Sequence, residues 1–151
     1  MLATFVASAA ATFPGRNGVI AYETNHPSGV NGIATIDPIT GSLRPIVTDG
    51  HHPAWSADGR RLAFMRAGGI WVANASGSRQ QRLTSGGDDA TPAWSPNGKR
   101  IAFARGNSIW VMKSNGKRQR ALGVQGLEPA WISGRPAHRL LQRSGDVDDG
   151  E

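Results

Sequence analysis

Along Arg61-Leu62-Ala63-Phe64-Met65-Arg66 and again along Ile70-Trp71-Val72-Ala73, side chains alternate with a period of two, and both alternate faces are apolar. Gly-, Asn- and Asp-rich pairs punctuate these runs: Asp58-Gly59, Gly68-Gly69 and Ser76-Gly77. The pattern predicts short strands joined by tight turns, in sheets covered on both sides. No stretch sustains a helical period, so an all-β fold is expected.

The run Pro53-Ala54-Trp55-Ser56-Ala57-Asp58-Gly59-Arg60-Arg61-Leu62-Ala63-Phe64 returns, 39 residues on, as Pro92-Ala93-Trp94-Ser95-Pro96-Asn97-Gly98-Lys99-Arg100-Ile101-Ala102-Phe103. Trp71 returns as Trp110 and Leu83 as Leu122, and a third start appears at Pro129-Ala130-Trp131. Each full copy divides into four strands. An inner strand lies around Pro53–Ser56 and its counterpart, and second strands span Arg61–Arg66 and Arg100–Arg105. Third strands span Ile70–Ala73 and Ile109–Met112, and fourth strands lie near Gln81–Thr84 and Arg120–Gly123. Asp58-Gly59 and Asn97-Gly98 are expected as type I′ hairpin turns. Gly68-Gly69 and Asn107-Ser108 are expected to turn the second strands into the third.

A degenerate copy precedes them. Val19-Ile20-Ala21-Tyr22, Gly32–Asp37 and Leu43–Thr48 match the second, third and fourth strands, while the inner strand has no counterpart at Thr12-Phe13-Pro14-Gly15. The repeats therefore fall at 14–50, 51–89 and 90–127, with a partial one at 128–131. Residues 132–151 carry no repeat and read as a disordered tail whose end, Asp146–Glu151, is acidic, with a helical turn at most in Ala137–Arg143.

A period near 40 built from four short strands is the mark of a β-propeller blade. The signature Pro53, Trp55, Asp58, Gly59, Phe64 and Trp71, repeated by Pro92, Trp94, Asn97, Gly98, Phe103 and Trp110 and begun again by Pro129 and Trp131, resembles the WD-like repeat of TolB-type β-propellers. The resemblance covers about residues 14–131. It implies a partial propeller of about three four-stranded antiparallel blades, against the four to eight of a closed ring. It also implies export, and protein binding as the commonest role. Related repeats occur in propellers attached to prolyl-oligopeptidase-like and tricorn-type peptidases. The chain lacks a recognisable N-terminal domain of the Tol protein.

Charge and composition add limits. The 151 residues contain no Cys, which excludes a disulfide, a thiolate metal site and a cysteine nucleophile. The net charge is +6, and Arg79, Arg82, Lys117, Arg118 and Arg120 recur at the turn before each fourth strand as a basic rim. Such a stripe could hold a polyanion through salt-sensitive contacts, but nothing beside it offers stacking for specific nucleic-acid binding. Residues 1–13 read as a truncated signal peptide, with an apolar run and Ala9-Ala10-Ala11 but no basic start, and are too short to span a membrane.

Candidate chemistry is sparse. No Gly-x-Ser-x-Gly elbow is present. His51-His52 with Asp49 lacks a third converging ligand, and adjacent residues on a strand point to opposite faces. Asp88-Asp89 reads as turn carboxylates rather than a cation site. No catalytic residue, cofactor or metal is expected, and the five Trp are expected to pack between blades. The sequence thus points to an exported, non-enzymatic, protein-binding scaffold. A remnant of a peptidase-gating propeller and a polyanion-binding surface are the alternatives. Three blades leave two raw faces: fragmentation of a longer gene would account for them, or a homodimer lending Pro129–Trp131 to its partner would complete a six-bladed ring.

Overall fold

The computed structural model describes residues 18–25 and 31–132. The signal-like start, the Thr12–Gly15 segment and the non-repeat end all lie outside the described residues, apart from Ile132. Eleven strands and no helix are described, in three antiparallel meanders that follow one another along the chain. Blade 1 holds β1 (Ile20–Asn25), β2 (Asn31–Ile36) and β3 (Leu43–Thr48). Blade 2 holds β4 (His51–Trp55), β5 (Arg61–Arg66), β6 (Gly69–Asn74) and the short β7 (Gln81–Arg82). Blade 3 holds β8 (Asp89–Trp94), β9 (Arg100–Arg105), β10 (Ser108–Lys113) and β11 (Arg120–Gln125). All-β architecture, two four-stranded blades and a preceding three-stranded one match the periodicity.

The two apolar faces of each strand serve two different neighbours. Leu62, Phe64 and Ala73 of blade 2 bury themselves against Ile33 and Val47 of blade 1, with Trp55 and Trp71 packed alongside. Ala63, Ile70 and Val72, on the opposite face, bury themselves against Trp94, Ile101, Phe103 and Met112 of blade 3. Ala63 is small because the opposing face carries the bulk. Burying each large side chain contributes about 1.5–3 kcal/mol, and the contribution exists only when the next blade is present.

The turns differ from the expectation. Gly59 has φ 66° and Gly98 has φ 65°, but Asp58 and Asn97 are not left-handed, so neither pair is a type I′ turn. Instead Ser56 and Arg61, and likewise Ser95 and Arg100, close four-residue loops through Ser56 N–H to Arg61 O (2.8 Å) and Ser95 N–H to Arg100 O (3.0 Å). The buried serine hydroxyls decide this. Ser56 Oγ accepts from Arg61 N–H (2.9 Å) and donates to Asp58 Oδ1 (2.6 Å), and Ser95 Oγ makes the equivalent bonds with Arg100 and Asn97. Position 58 or 97 therefore needs an acceptor oxygen, not a charge. The left-handed pair lies instead at Ala67-Gly68 (φ 48° and 65°), one residue before the predicted Gly68-Gly69, and Gly106-Asn107 replaces the predicted Asn107-Ser108.

Candidate functional site

The inner strands β4 and β8 and the segment Glu128–Trp131 run side by side along an open groove of about 770 Å³. Each inner strand is the free edge of its blade, which is why Pro53 and Pro92, having no N–H to donate, are tolerated there. Each also carries a bulge, between His51 and Ala54 in β4 and between Ala90 and Ala93 in β8. At the bulges His52 (φ 49°) and Thr91 (φ 48°) take the left-handed conformation, which is uncommon for any non-glycine and costly for a β-branched residue. Backbone outliers of this kind persist where the surroundings impose them. Both side chains border the groove.

Trp55, Trp94 and Trp131 end the three inner segments at equivalent places. Trp131 Nε1 donates to Ala93 O (3.1 Å), while Trp55 Nε1 and Trp94 Nε1 are buried and find no acceptor among the described residues. Thr91 Oγ1 donates to Leu127 O, fixing the chain as it enters the third inner segment.

Electrostatic ties flank the groove. Glu23 on β1 accepts from the His52 N–H (2.6 Å) and pairs with His51 Nδ1 (3.2 Å), joining blade 1 to blade 2. His52 Nδ1 lies 3.7 Å from the same carboxylate. The bulge thus brings both histidines to one partner, against the expectation that neighbours face opposite ways. Burial pushes the Glu23 carboxyl up, but the His52 amide and the His51 ring outweigh it and hold it below the usual range. Among the described residues no cluster of three or more His, Asp or Glu is arranged to hold a metal ion.

Asp89 on β8 is fully buried and takes a bidentate pair from Arg105, at 2.6 Å through Nε and 3.0 Å through Nη2. Burial pushes its carboxyl up, but the hydrogen bonds from Arg105 and Thr84 and the guanidinium charge more than offset this and hold it low. Arg105 also lies 4.5 Å over the Trp110 ring, as Arg66 lies 4.0 Å over Trp71. Trp71 and Trp110 are thereby roofed by arginines, half-buried, and engaged in packing on the outer side of the blade cores.

Of the signature residues, Phe64, Phe103 and Trp94 are buried core and Trp55 packs beside it, while Asp58, Gly59, Asn97 and Gly98 build turns. Pro53, Pro92, Pro129 and Trp131 come together at the groove. The basic rim divides. Arg118 and Arg120 join Lys99, Arg100 and Lys113 around a recess of about 620 Å³ on blade 3. Arg79 and Lys117 are exposed, and Arg82 is spent on Thr84 O (2.7 Å). Sequence reasoning missed Glu23, and it read Asp89 as a turn carboxylate where the structure has a buried strand residue paired with Arg105. A signal existed for Glu23, a carboxylate where the other copies carry Met65 and Ala104. Another existed for Asp89, an acid where the preceding copy has Gly50.

This architecture is that of a β-propeller, of which the chain supplies three successive blades. No family model matches the sequence and no curated protein matches it. Among solved structures it is similar to TolB from Agrobacterium tumefaciens, with TM-score 0.62 and 22% identity over 74% of this chain and 50% of that one. It is also similar to a chain of the nidogen/laminin complex, with TM-score 0.64 and 17% identity over 78% and 49%. The β-propeller domain of the trilobed protease from Pyrococcus furiosus, described as having an open velcro topology, gives TM-score 0.54 and 18% identity over 78% and 43%. The chain spans about half the length of the first two, and at these identities the likeness establishes the fold. Among the described residues no helix is long and apolar enough to cross a membrane.

Proposed function

We propose that this chain is a non-enzymatic propeller scaffold that binds a protein segment in the axial groove. The observation that carries the reading is the groove itself: three Trp-ended inner segments, bulged at His52 and Thr91, line an open trough of mixed polar and apolar character. Free strand edges with unpaired backbone groups suit an extended peptide, with side-chain pockets supplying selectivity. Selection of displayed peptides on the immobilised protein tests it. Binders are expected that are lost on Ala57→Arg or Ala93→Arg, which fill the groove, and kept on Lys117→Glu. Selection that ignores both arginine variants would overturn the reading.

Export is part of the same proposal and rests on the signal-like residues 1–13; N-terminal sequencing of the secreted fraction, showing a start near Thr12, checks it. Two other readings have specific support. The likeness to a propeller domain of a protease favours a peptidase-gating role, which requires a peptidase domain in the same or a neighbouring coding region. The recess lined by Lys99, Arg100, Lys113, Arg118 and Arg120 favours polyanion binding. That reading predicts heparin affinity that collapses between low and moderate salt and falls on Arg118→Glu. A homodimeric six-bladed ring would bury the open blade faces; light scattering with and without Trp131→Asp separates it from a single chain.

A further inference from the structure

Among the described residues the exposed large hydrophobic side chains are confined to the two terminal blades and their flanks: Val19, Ile20, Ile39 and Leu43 on one side, Leu122, Val124, Leu127 and Ile132 on the other. The middle blade has none. Blade 2 shows what covers such a face: its Leu83 and Ile70 are packed under blade 3. The matching Leu122 of blade 3 is 43% exposed. Trp131 already occupies the inner-strand place of a next blade, its indole bonded to Ala93 O. The repeat then breaks in a single step. Ile132 is 84% exposed where its counterparts Ser56 and Ser95, the turn-closing serines, are 2% and 3% exposed.

The genetic code accounts for that break. Ile132-Ser133-Gly134-Arg135-Pro136-Ala137-His138-Arg139-Leu140-Leu141 is encoded, in the principal codon families, by ATH TCN GGN CGN CCN GCN CAY CGN CTN CTN. Here N is any base, H any base but G, and Y either pyrimidine. Read one nucleotide later, the same DNA gives THT CNG GNC GNC CNG CNC AYC GNC TNC. Ser-Pro-Asp-Gly-Arg-Arg-Ile-Ala-Phe fits those codons in order, at every position. It is the signature of Ser95-Pro96-Asn97-Gly98-Lys99-Arg100-Ile101-Ala102-Phe103, in the register that sets Trp131 on Trp94. Further on, a GTG codon for Val147 followed by the G of Asp148 reads TGG in the shifted frame. That Trp stands as far from Trp131 as Trp110 stands from Trp94. No stop codon is forced anywhere in the shifted frame across these residues.

We propose that the open face of blade 3 belongs to a fourth blade of the same gene, encoded one nucleotide out of frame from Ile132 onward. The inference is independent of what the groove binds. It gives the basic recess on blade 3 a second role. Arg61 of blade 2 stacks 4.4 Å over Trp94 and reaches Gly98 O (3.4 Å) across the blade boundary. Arg100, its counterpart, is placed to meet Trp131 and the turn glycine of the next blade in the same way.

The coding DNA tests this directly. Ile132 through Leu140 are expected as ATC TCC GGA CGG CCG GCG CAT CGC CTT, with the shifted frame open into further repeats. Deleting one nucleotide after the Trp131 codon and expressing to the new stop should give a product that binds less of a hydrophobic dye than the 151-residue chain. Its melting midpoint should be higher by about 5 °C or more. Leu122→Asp should destabilise that product and leave the 151-residue chain nearly unchanged. A stop, or wobble bases that spell other residues in the shifted frame, would overturn the proposal. So would a defined dimer of the 151-residue chain that buries Leu122, because the occupant would then be a second copy.

Discussion

Single residues in this chain answer to local geometry that their identity only partly reveals. Ala67 holds φ 48° at the first place of a two-residue turn where Asn is favoured, because an L-residue with a bare Cβ pays about 1–2 kcal/mol there. Ala67→Asn is therefore expected to stabilise the protein by about 1 kcal/mol, read as a rise in the denaturation midpoint. Asp89 carries the opposite kind of sensitivity. Its carboxyl is held low by Arg105, so its contribution is present above the ordinary aspartate value and is lost as the pH falls through and below it. Stability measured from neutral pH downward should therefore drop below about pH 4 in the parent chain, where unfolded aspartates begin to take up protons. Asp89→Asn should flatten that part of the drop. At neutral pH, removing one partner of the buried pair should cost about 3–5 kcal/mol in urea titration.

At the level of strands, the repeat was legible because identical faces recur against identical neighbours. Leu62 and Phe64 face one way and Ala63 the other, as their alternation required, and the second strands fall at Arg61–Arg66 and Arg100–Arg105 as read from sequence. Turn types were not legible. An Asp-Gly pair signals a two-residue hairpin only if nothing competes, and here the hydroxyls of Ser56 and Ser95 capture the flanking amides and open the loop to four residues. The groove was half legible: its Trp and Pro residues were in the signature, but the left-handed bulges that aim His52 and Thr91 leave no trace in composition. Glu23 was overlooked because its partner lies on another blade, and such pairing has no period in the chain. The stacking makes a graded prediction. Ile70→Ala, fully buried between blades 2 and 3, should cost about 2–5 kcal/mol. Ile109→Ala, its partly exposed counterpart, should cost measurably less in the same denaturation series.

At the scale of the molecule, stability is the sum of blades and of the contacts between neighbours. Two such contacts are described, one on each side of blade 2. Terminal blades should accordingly exchange their amide hydrogens faster than β5 and β6, which are covered on both faces. Hydrogen exchange resolved by segment checks this; uniform protection across all three blades would contradict the nearest-neighbour account.

Gly77 and Gly116 carry a consequence for shape. Each stands in the turn after a third strand with φ above 80°, and there a Cβ would run into the preceding blade, against Ile46 O and Leu83 O respectively. These two points act as shims of zero thickness between adjoining wedges. Replace either with alanine and the added carbon must push the wedges apart along one side, changing the angle each one subtends. The number of wedges that closes a circle is then no longer the same, so a pair of glycines outside the groove lining bears on how wide the groove can be.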